Sequence, residues 1–323
     1  MSQGPAGHVT RSFIRPEPET AGGCTESAPR GAPRGALRKF LRTADGVTID
    51  AAYQPGTSPS GDPSDDGPGD RPGGLVIVVA HGFTGDLERP HVRRVAGVFA
   101  QYAAVVTFSF RGHGSSGGRS TVGDREVLDL EAAVRWAREL GHTRVATVGF
   151  SMGGSVVLRH AALHARSDEE DADRAGKNAG EDGEREEHRG RTGAHLDAVV
   201  SVSAPARWYY RGTAPMRRLH WLVTRPVGRA VGRYGLRTRI HHRDWDPVPS
   251  SPAESVPLIA PTPLLIVHGD RDGYFPVDHP RMLAEASGDH AELWLERGMG
   301  HAENAADDEL LARIGEWAAT HAG

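Results

Sequence analysis

The sequence predicts an α/β fold: an eight-stranded, mainly parallel sheet with helices on both faces and a helical cap insertion. Short apolar runs rich in β-branched residues alternate along the chain with segments of helical periodicity. These runs are continuously apolar, which is typical of strands that are buried on both faces. Strands and helices in alternation form βαβ units, and the strands of such units run parallel to one another.

The predicted strands share this apolar character, and most of them end where a loop rich in glycine begins. The first two flank Ala44-Asp45-Gly46, which indicates a hairpin turn. The predicted strands cover residues 37–43, 47–53, 75–80, 105–110, 144–150, 198–203, 263–268 and 293–295.

Helical periodicity fills the segments between several of these strands. It is clearest in residues 91–102, 124–140, 152–164 and 308–321. Asp124 stands where the N-cap residue of the second of these helices would lie.

Four segments depart from the alternation and set the predicted domain organisation. Residues 1–36 form a Gly/Pro/Arg-rich tail, which we expect to be disordered because it cannot bury enough apolar surface to offset its ordering entropy. Residues 37–321 form the single folded domain, interrupted by a low-complexity loop at 55–74 and a charged insertion at 167–193. Residues 205–257 contain no strand pattern and form the predicted cap.

The composition of the chain excludes several classes of protein. Of its 323 residues, 38% are hydrophobic and 25% are charged, which is typical of a soluble globular protein. The net charge of -4 gives no reason to expect a nucleic-acid partner. The single cysteine, Cys24, cannot form an internal disulfide. We find no signal peptide and no apolar run of about 18 residues, so we expect a cytoplasmic protein without a transmembrane segment.

Gly149-Phe150-Ser151-Met152-Gly153 is the motif that carries the chemistry. It lies directly between a predicted strand and a predicted helix, the context of a nucleophile elbow. Such a sharp turn strains the backbone of the serine and requires small residues on either side of it. We therefore predict that Ser151 is a nucleophile.

A nucleophilic serine needs a base, and the base needs an acid that orients it. Asp270 and Asp272 follow the predicted seventh strand, and His301 follows the eighth, so both segments lie where open α/β sheets place their sites. We favour Asp272 over Asp270, because the loop must first leave the strand before its carboxylate can face the base. The candidate triad is Ser151, Asp272 and His301.

Attack on a carbonyl group creates an oxyanion that needs N–H donors. One predicted donor is the backbone N–H of Met152, at the start of the helix after the nucleophile. The other is the backbone N–H of Phe83, in the loop after the third strand. His81, in the same loop, is expected to be structural.

Five motifs in this order resemble the α/β-hydrolase superfamily, and most of all its esterase, monoacylglycerol-lipase and serine-aminopeptidase-like branch. The resemblance covers residues 37–321 without the two insertions. It implies an acyl-enzyme mechanism, a cap between the sixth and seventh strands, and a structural role for His113. This sequence departs from the family in its charged insertion, and in having GFSMG where lipases have GHSMG. The motifs are HGF, SFRGHGSSG, GFSMGG, HGDRDGYFP and GMGH.

The predicted cap is strongly basic. Residues 207–246 contain ten arginines and two aspartates. The arginines fit three interpretations: they face water and pair with the acidic insertion, they steer an anionic substrate, or they attach a basic amphipathic helix to an anionic membrane surface. By family resemblance, Trp208, Tyr209 and Trp221 line an apolar acyl pocket.

These observations predict a serine hydrolase that cleaves a small-molecule carboxylic ester without a metal or cofactor. An acyltransferase, thioesterase, amidase or C–C hydrolase would use the same triad, since these differ in the shape of the pocket. A non-catalytic ligand-binding protein on this fold is the alternative from another class, but it would not require a complete triad. The oligomeric state stays open.

Overall fold

The apolar run at residues 75–80 forms a central strand in which every side chain is buried, as the absence of alternation predicts. The computed structural model describes residues 35–57, 74–165 and 193–323. The strands are β1 Leu37–Arg42, β2 Thr48–Gln54, β3 Leu75–Ala80, β4 Ala104–Phe108, β5 Arg144–Phe150, β6 Ala198–Val202, β7 Leu264–Gly269 and β8 Ala291–Glu296.

All eight strands form one sheet in the order β1-β2-β4-β3-β5-β6-β7-β8. Strand β2 runs antiparallel to both of its neighbours, β1 and β4. The other neighbouring pairs, from β4-β3 through β7-β8, are parallel. The predicted fold class, a mainly parallel eight-stranded sheet with helices, is therefore confirmed.

The helices of the described residues follow the strands in alternation, with a group of them between β6 and β7. A short 3₁₀ helix at Val256–Leu258 directly follows the last helix of this group. The helices are α1 Pro90–Phe99, α2 Glu126–Glu139, α3 Met152–Leu163, α4 Ala214–Thr224, α5 Pro226–Gly235, α6 Pro252–Ser255, α7 Asp278–Ala286, α8 Ala302–Ala305 and α9 Asp308–His321.

The sheet has an apolar core on each face, because successive side chains of a strand point to opposite sides. Val76 and Val78 of β3 pack into a cluster that includes residues of α2 and α3. Ile77 and Val79 pack into a second cluster, with residues of α1 and α9. Burial on both faces explains why the central strands have no polar alternation.

Helix α2 begins differently from the prediction, and Asp124 is not its N-cap. The N-cap position is Arg125, which makes no capping hydrogen bond with its side chain. The loop before the helix instead turns back on it, so that the N–H groups of Thr121 and Gly123 donate to the Glu126 carboxylate at 2.8 and 2.9 Å. Asp124 faces Arg159, with 3.7 Å between the carboxylate and the guanidinium.

The segment between β6 and β7 holds α4, α5 and α6, at the place predicted for the cap. Later in this segment, Ile240 forms a parallel β-bridge with Ser120, which lies in the loop after β4. None of the helices in the described ranges is long and apolar enough to cross a membrane. The predicted tail at 1–36, the low-complexity loop at 55–74 and the charged insertion at 167–193 lie outside the described residues, apart from a few positions at their ends.

Candidate active site

Ser151 lies in the turn between β5 and α3, in the backbone conformation of a nucleophile elbow. Its φ of 52° and ψ of −112° lie in a region that residues other than glycine rarely adopt. A Cβ atom on Gly149 would collide with the Gly153 carbonyl, and one on Gly153 would collide with the Ala80 carbonyl. The turn is therefore possible because both flanking positions are glycine.

His301 lies between Ser151 and Asp272, within hydrogen-bond distance of both. Its Nδ1 is 2.7 Å from Asp272 Oδ2, and its Nε2 is 2.9 Å from Ser151 Oγ. An ionised carboxylate can only accept, so Nδ1–H donates to Asp272 and Nε2 accepts from the serine hydroxyl. Three side chains predicted from distant segments are thus brought together in one hydrogen-bonded row.

Asp272 is held as an acceptor by the loop that follows β7. Its side chain is 1% exposed, and the N–H groups of Tyr274 and Phe275 donate to its Oδ1 at 2.7 and 3.0 Å. Burial raises the pKa of Asp272, but the hydrogen bond from His301, the charge of His301 and the two N–H groups lower it by more. The pKa lies below its ordinary value, so this carboxyl is ionised at neutral pH.

Asp270, the other candidate acid, contacts the loop before His301 and not its imidazole. It is exposed, and its Oδ1 accepts a hydrogen bond from the Gly298 N–H at 2.6 Å. It therefore fixes the loop before His301 from outside, whereas Asp272 contacts the imidazole.

The loop after β8 holds His301 against two aromatic side chains. The ring of Tyr274 stacks on the imidazole at a centroid distance of 4.2 Å, and that of Phe275 meets it edge-on at 5.6 Å. Ala302 has a positive φ of 56°, and its N–H donates to Ser203 Oγ at 3.1 Å. These contacts leave 17% of the His301 side chain exposed.

The loop after β3 brings Gly82 and Phe83 next to Ser151. A Cβ atom on Gly82 would lie 3.5 Å from Ser151 Cβ, an ordinary contact, but only 3.2 Å from the Glu303 carboxylate, so glycine leaves room for Glu303. The Gly82 N–H donates to the buried Glu303 carboxylate at 3.1 Å, and Phe83 and Ser151 line the same cavities. Met152 is the first residue of α3, directly after the serine.

Two buried histidines shape this loop. The His81 Nδ1–H donates to the Gly82 carbonyl at 2.7 Å, and its Nε2 accepts from the Phe110 N–H at 3.0 Å. His113 uses its ring nitrogens in the same way, with the Arg111 carbonyl at 3.0 Å and the Thr84 N–H at 3.3 Å. Burial lowers the pKa of His81 to about 3 and that of His113 to about 4, so both are neutral.

Two cavities meet at Ser151. The His301 cavity has a volume of 610 Å³ and is lined by His301, Glu303 and a largely apolar wall that includes Trp221 and Leu222. The arginine cavity has a volume of 680 Å³ and extends under the cap, away from His301. Residues of both linings form the boundary between the cavities; they are Phe83, Ser151, Met216, Leu219 and Phe275.

The aromatic residues predicted to line one acyl pocket are divided between these cavities. Trp208 and Tyr209 line the arginine cavity, whereas Trp221 lines the His301 cavity. The arginine cavity is not purely apolar, because four arginines and three histidines of the cap line it. The sequence could not show this, since each side chain of the cap can face either the interior or water.

Glu303 and Tyr274 are residues of the site that sequence reasoning missed. Glu303 comes two positions after His301, is 3% exposed, and lies 3.7 Å from the His91 imidazole as well as against Gly82. Its place so close to the GMGH motif was the available signal. Among the residues that the structure describes, no group of three or more His, Cys, Asp or Glu side chains could hold a metal ion.

Comparisons with known proteins agree on the fold. The model of a family described as "Alpha/beta hydrolase family" matches residues 77–314. An esterase of Pyrococcus furiosus is 20% identical, with 89% of this chain and 92% of that chain covered and a TM-score of 0.60. An α/β hydrolase of Penicillium is 18% identical, with coverage of 88% and 98% and a TM-score of 0.58.

An α/β serine hydrolase without a lid, from Xanthomonas campestris, is also similar. It is 18% identical, with 90% of this chain and 94% of that chain covered and a TM-score of 0.52. Identities this low show a common fold. No curated protein sequence matches this chain.

Proposed function

Since the chain belongs to the alpha/beta hydrolase family, we propose that it is a serine hydrolase that cleaves carboxylic esters through an acyl-enzyme intermediate. The observation that carries this proposal is the row of hydrogen bonds from Asp272 through His301 to Ser151, with distances of 2.7 and 2.9 Å. The esterase fold of the structural neighbours agrees with it.

In the first half of the reaction, Ser151 Oγ attacks the carbonyl carbon of the ester. His301 Nε2 accepts the hydroxyl proton, and the ionised Asp272 stabilises the imidazolium that forms. His301 then gives this proton to the leaving alcohol, and the acyl group stays on Ser151. In the second half, water takes the place of the alcohol, is deprotonated by His301, and releases the acid.

The loop around Gly82 supports the proposed oxyanion donors. The N–H of Gly82 is already bound to Glu303, so it does not compete for the substrate. The next N–H along the chain is that of Phe83, on the loop that approaches Ser151, and the N–H of Met152 lies at the start of α3. We propose these two groups as the donors; the loss of one such donor costs about 3 kcal/mol in the barrier.

The test is covalent labelling combined with turnover. We expect a fluorophosphonate probe to label the wild-type protein, because Ser151 Oγ displaces fluoride from phosphorus and stays bound to it. We expect Ser151→Ala to abolish the labelling and to lower the turnover of short p-nitrophenyl esters by at least about 10⁴-fold.

A matched control is Ser287→Ala, which changes a serine at the end of α7 outside both cavities. It should be labelled and should turn over esters like the wild type. A wild-type protein that neither reacts with the probe nor hydrolyses any ester would contradict the proposal, as would full activity in Ser151→Ala.

A further inference from the structure

The two cavities beside Ser151 differ in charge. The His301 cavity contains one arginine and one glutamate in its lining, Arg218 and Glu303. The arginine cavity contains a single acidic residue, Asp244, against four arginines and three histidines. These basic residues are Arg207, Arg211, Arg229, Arg243, His220, His241 and His242.

Two of the four arginines are already engaged with other groups of the protein. Arg207 forms an ion pair of 3.3 Å with Asp278, and Arg229 donates to the Thr224 carbonyl at 2.9 Å at the end of α4. For Arg211 and Arg243, the parts of the chain that the structure describes provide no carboxylate within ion-pair distance. Both residues are exposed and line the cavity.

Two histidines of the cavity, His220 and His242, lie near positively charged groups. Desolvation lowers the pKa of His242 most, and the nearby charges of His241, Arg243 and two other arginines lower it further. Desolvation and the charge of Arg211 likewise lower the pKa of His220. Desolvation disfavours any charge, but the nearby positive charges that disfavour a further proton here favour an anion.

The chemistry of ester cleavage assigns one half of the substrate to each cavity. His301 must reach the leaving oxygen in order to protonate it, and it lines only the His301 cavity. The alcohol therefore belongs in that cavity. The acyl group, on the other side of the carbonyl carbon, belongs in the arginine cavity, which Met152 also lines.

We propose that the arginine cavity is an anion-binding acyl subsite, and that this protein hydrolyses monoesters of acids that carry a second oxyanion at their far end. A carboxylate is the simplest such group, since guanidinium binds it through two parallel hydrogen bonds. This inference rests on the proposed serine hydrolase function and adds the class of its substrate.

The aromatic wall of the cavity suits the middle of such an acyl group. The rings of Trp208 and Trp245 meet edge-on at a centroid distance of 5.1 Å. Their indole N–H groups donate to the backbone carbonyls of Pro249 and Thr121 at 2.9 and 2.6 Å, which fixes both rings. Their apolar surfaces lie in the same lining as Ser151 and the arginines.

The second anion takes no part in the bond changes. The bond from Ser151 Oγ to the acyl carbon forms, the ester C–O bond breaks, and the serine proton leaves with the alcohol by way of His301. Water then cleaves the acyl-enzyme bond, restores the serine hydroxyl and releases a dicarboxylic acid.

The experiment compares kcat/KM for monobutyl adipate and butyl hexanoate, with release of butanol as the readout. We expect the wild type to prefer the adipate ester by at least about tenfold, and this preference to shrink at an ionic strength of about 1 M, where screening acts within about 3 Å. In the double variant Arg211→Gln/Arg243→Gln, the preference should fall by about tenfold, mainly through KM.

The matched control is Arg225→Gln/Arg233→Gln, which removes two exposed arginines of the cap that line neither cavity. It should keep the wild-type preference, although it loses the same net charge. A further substrate carries the anion on the alcohol: the hexanoyl ester of 4-hydroxybutanoate should be cleaved no faster than butyl hexanoate. Preference for this ester would overturn the assignment of the acyl group to the arginine cavity.

The outcomes separate the subsite from the proposed function. If butyl hexanoate is hydrolysed by the wild type and not by Ser151→Ala, the serine hydrolase proposal stands. Under that condition, a preference for adipate below about twofold, or a preference that the Arg211→Gln/Arg243→Gln variant leaves unchanged, overturns the anion subsite alone. Failure to label Ser151 together with failure to cleave every ester overturns both.

Discussion

At the scale of single residues, the contact between Asp272 and His301 determines which imidazole nitrogen carries the proton. The carboxylate oxygen lies 2.7 Å from Nδ1 and, while it is ionised, can only accept a hydrogen bond. The lowered pKa of Asp272 ensures this state at neutral pH. In the proposed mechanism, Nε2 is therefore always the nitrogen that is free to take the serine proton.

We predict that Asp272→Asn lowers kcat for ester hydrolysis by about 10³–10⁴-fold with little change in KM. The amide keeps the shape of the side chain, but its NH₂ group can donate to Nδ1 and so place the imidazole proton on Nε2. Steady-state kinetics on a short p-nitrophenyl ester measure the effect.

Asp270→Asn is the matched control, because Asp270 lies on the same loop and accepts from Gly298 rather than from His301. Its kcat should stay within about threefold of the wild type. Equal losses in the two variants would mean that the loop as a whole, and not the tautomer of His301, limits the reaction.

The choice between these two aspartates shows which residues of the site can be predicted from the sequence and which depend on the folded structure. Its motifs suffice to propose Ser151 and His301, because the glycines around each of them require a particular turn. Asp270 and Asp272 follow the same strand, and their orientation depends on which backbone N–H groups the folded loop offers. Glu303 was missed for the same reason: its partner, the Gly82 N–H, is 221 positions away in the chain.

At the scale of elements, the elbow depends on close contact between β3, β5 and the first turn of α3. The Gly153 backbone lies against the Ala80 and His81 carbonyls, where no side chain fits. Backbone atoms cannot move aside as a flexible side chain can. Packing here is therefore as restrictive as the strained φ of Ser151.

We predict that Gly153→Ala lowers the free energy of unfolding by about 1–3 kcal/mol or more, because the added methyl group overpacks a rigid contact. Urea denaturation measures the change. Gly97→Ala is the control: Gly97 lies inside α1 with open space around it, so alanine should raise stability by about 0.5–1 kcal/mol. A stable Gly153→Ala protein would show that the turn can relax.

Strands were easier to predict than helix boundaries. The bounds of β3 and β5 agree with their apolar runs, since a strand buried on both faces has to be apolar throughout. The start of α2 was wrong because the Glu126 carboxylate, and not Asp124, binds the loop N–H groups. The cap was predicted to be helical, but the bounds of α4 and α5 were not, although both helices have an apolar side and Pro226 begins the second.

At the scale of the whole molecule, buried neutral histidines make the free energy of unfolding depend on pH. The hydrogen bonds of His81 and His113 use one ring nitrogen as donor and the other as acceptor. If either imidazole were protonated on both nitrogens, its second N–H would point at a backbone N–H group, which cannot accept a hydrogen bond. Burial accordingly lowers the pKa of these histidines to about 3 and about 4, whereas the unfolded chain binds a proton at about pH 6.5.

We predict that the free energy of unfolding falls by about 2 kcal/mol per histidine between pH 7 and pH 5. In this window the two histidines bind protons in the unfolded chain but not in the native state, so stability falls as the pH falls. His279, whose pKa burial also lowers to about 4, acts in the same direction. Asp129 acts in the opposite direction, because burial raises its pKa to about 7 and the native state takes up a proton there in the same window.

Urea denaturation at a series of pH values tests this prediction, with His113→Gln as the comparison. The variant should be less stable at pH 7 but should lose less stability between pH 7 and pH 5. If His113→Gln loses as much stability as the wild type between pH 7 and pH 5, His113 is not neutral and buried in the native state.

The boundary between the two cavities has a consequence for how selectivity can change. Met216 and Leu219, on one turn of α4, are walls of both compartments at the same time. A substitution at either residue that changes the shape of the arginine cavity therefore also changes the shape of the His301 cavity. Tolerance for the two halves of an ester is coupled in this protein, and engineering one preference independently requires changes beyond this shared turn.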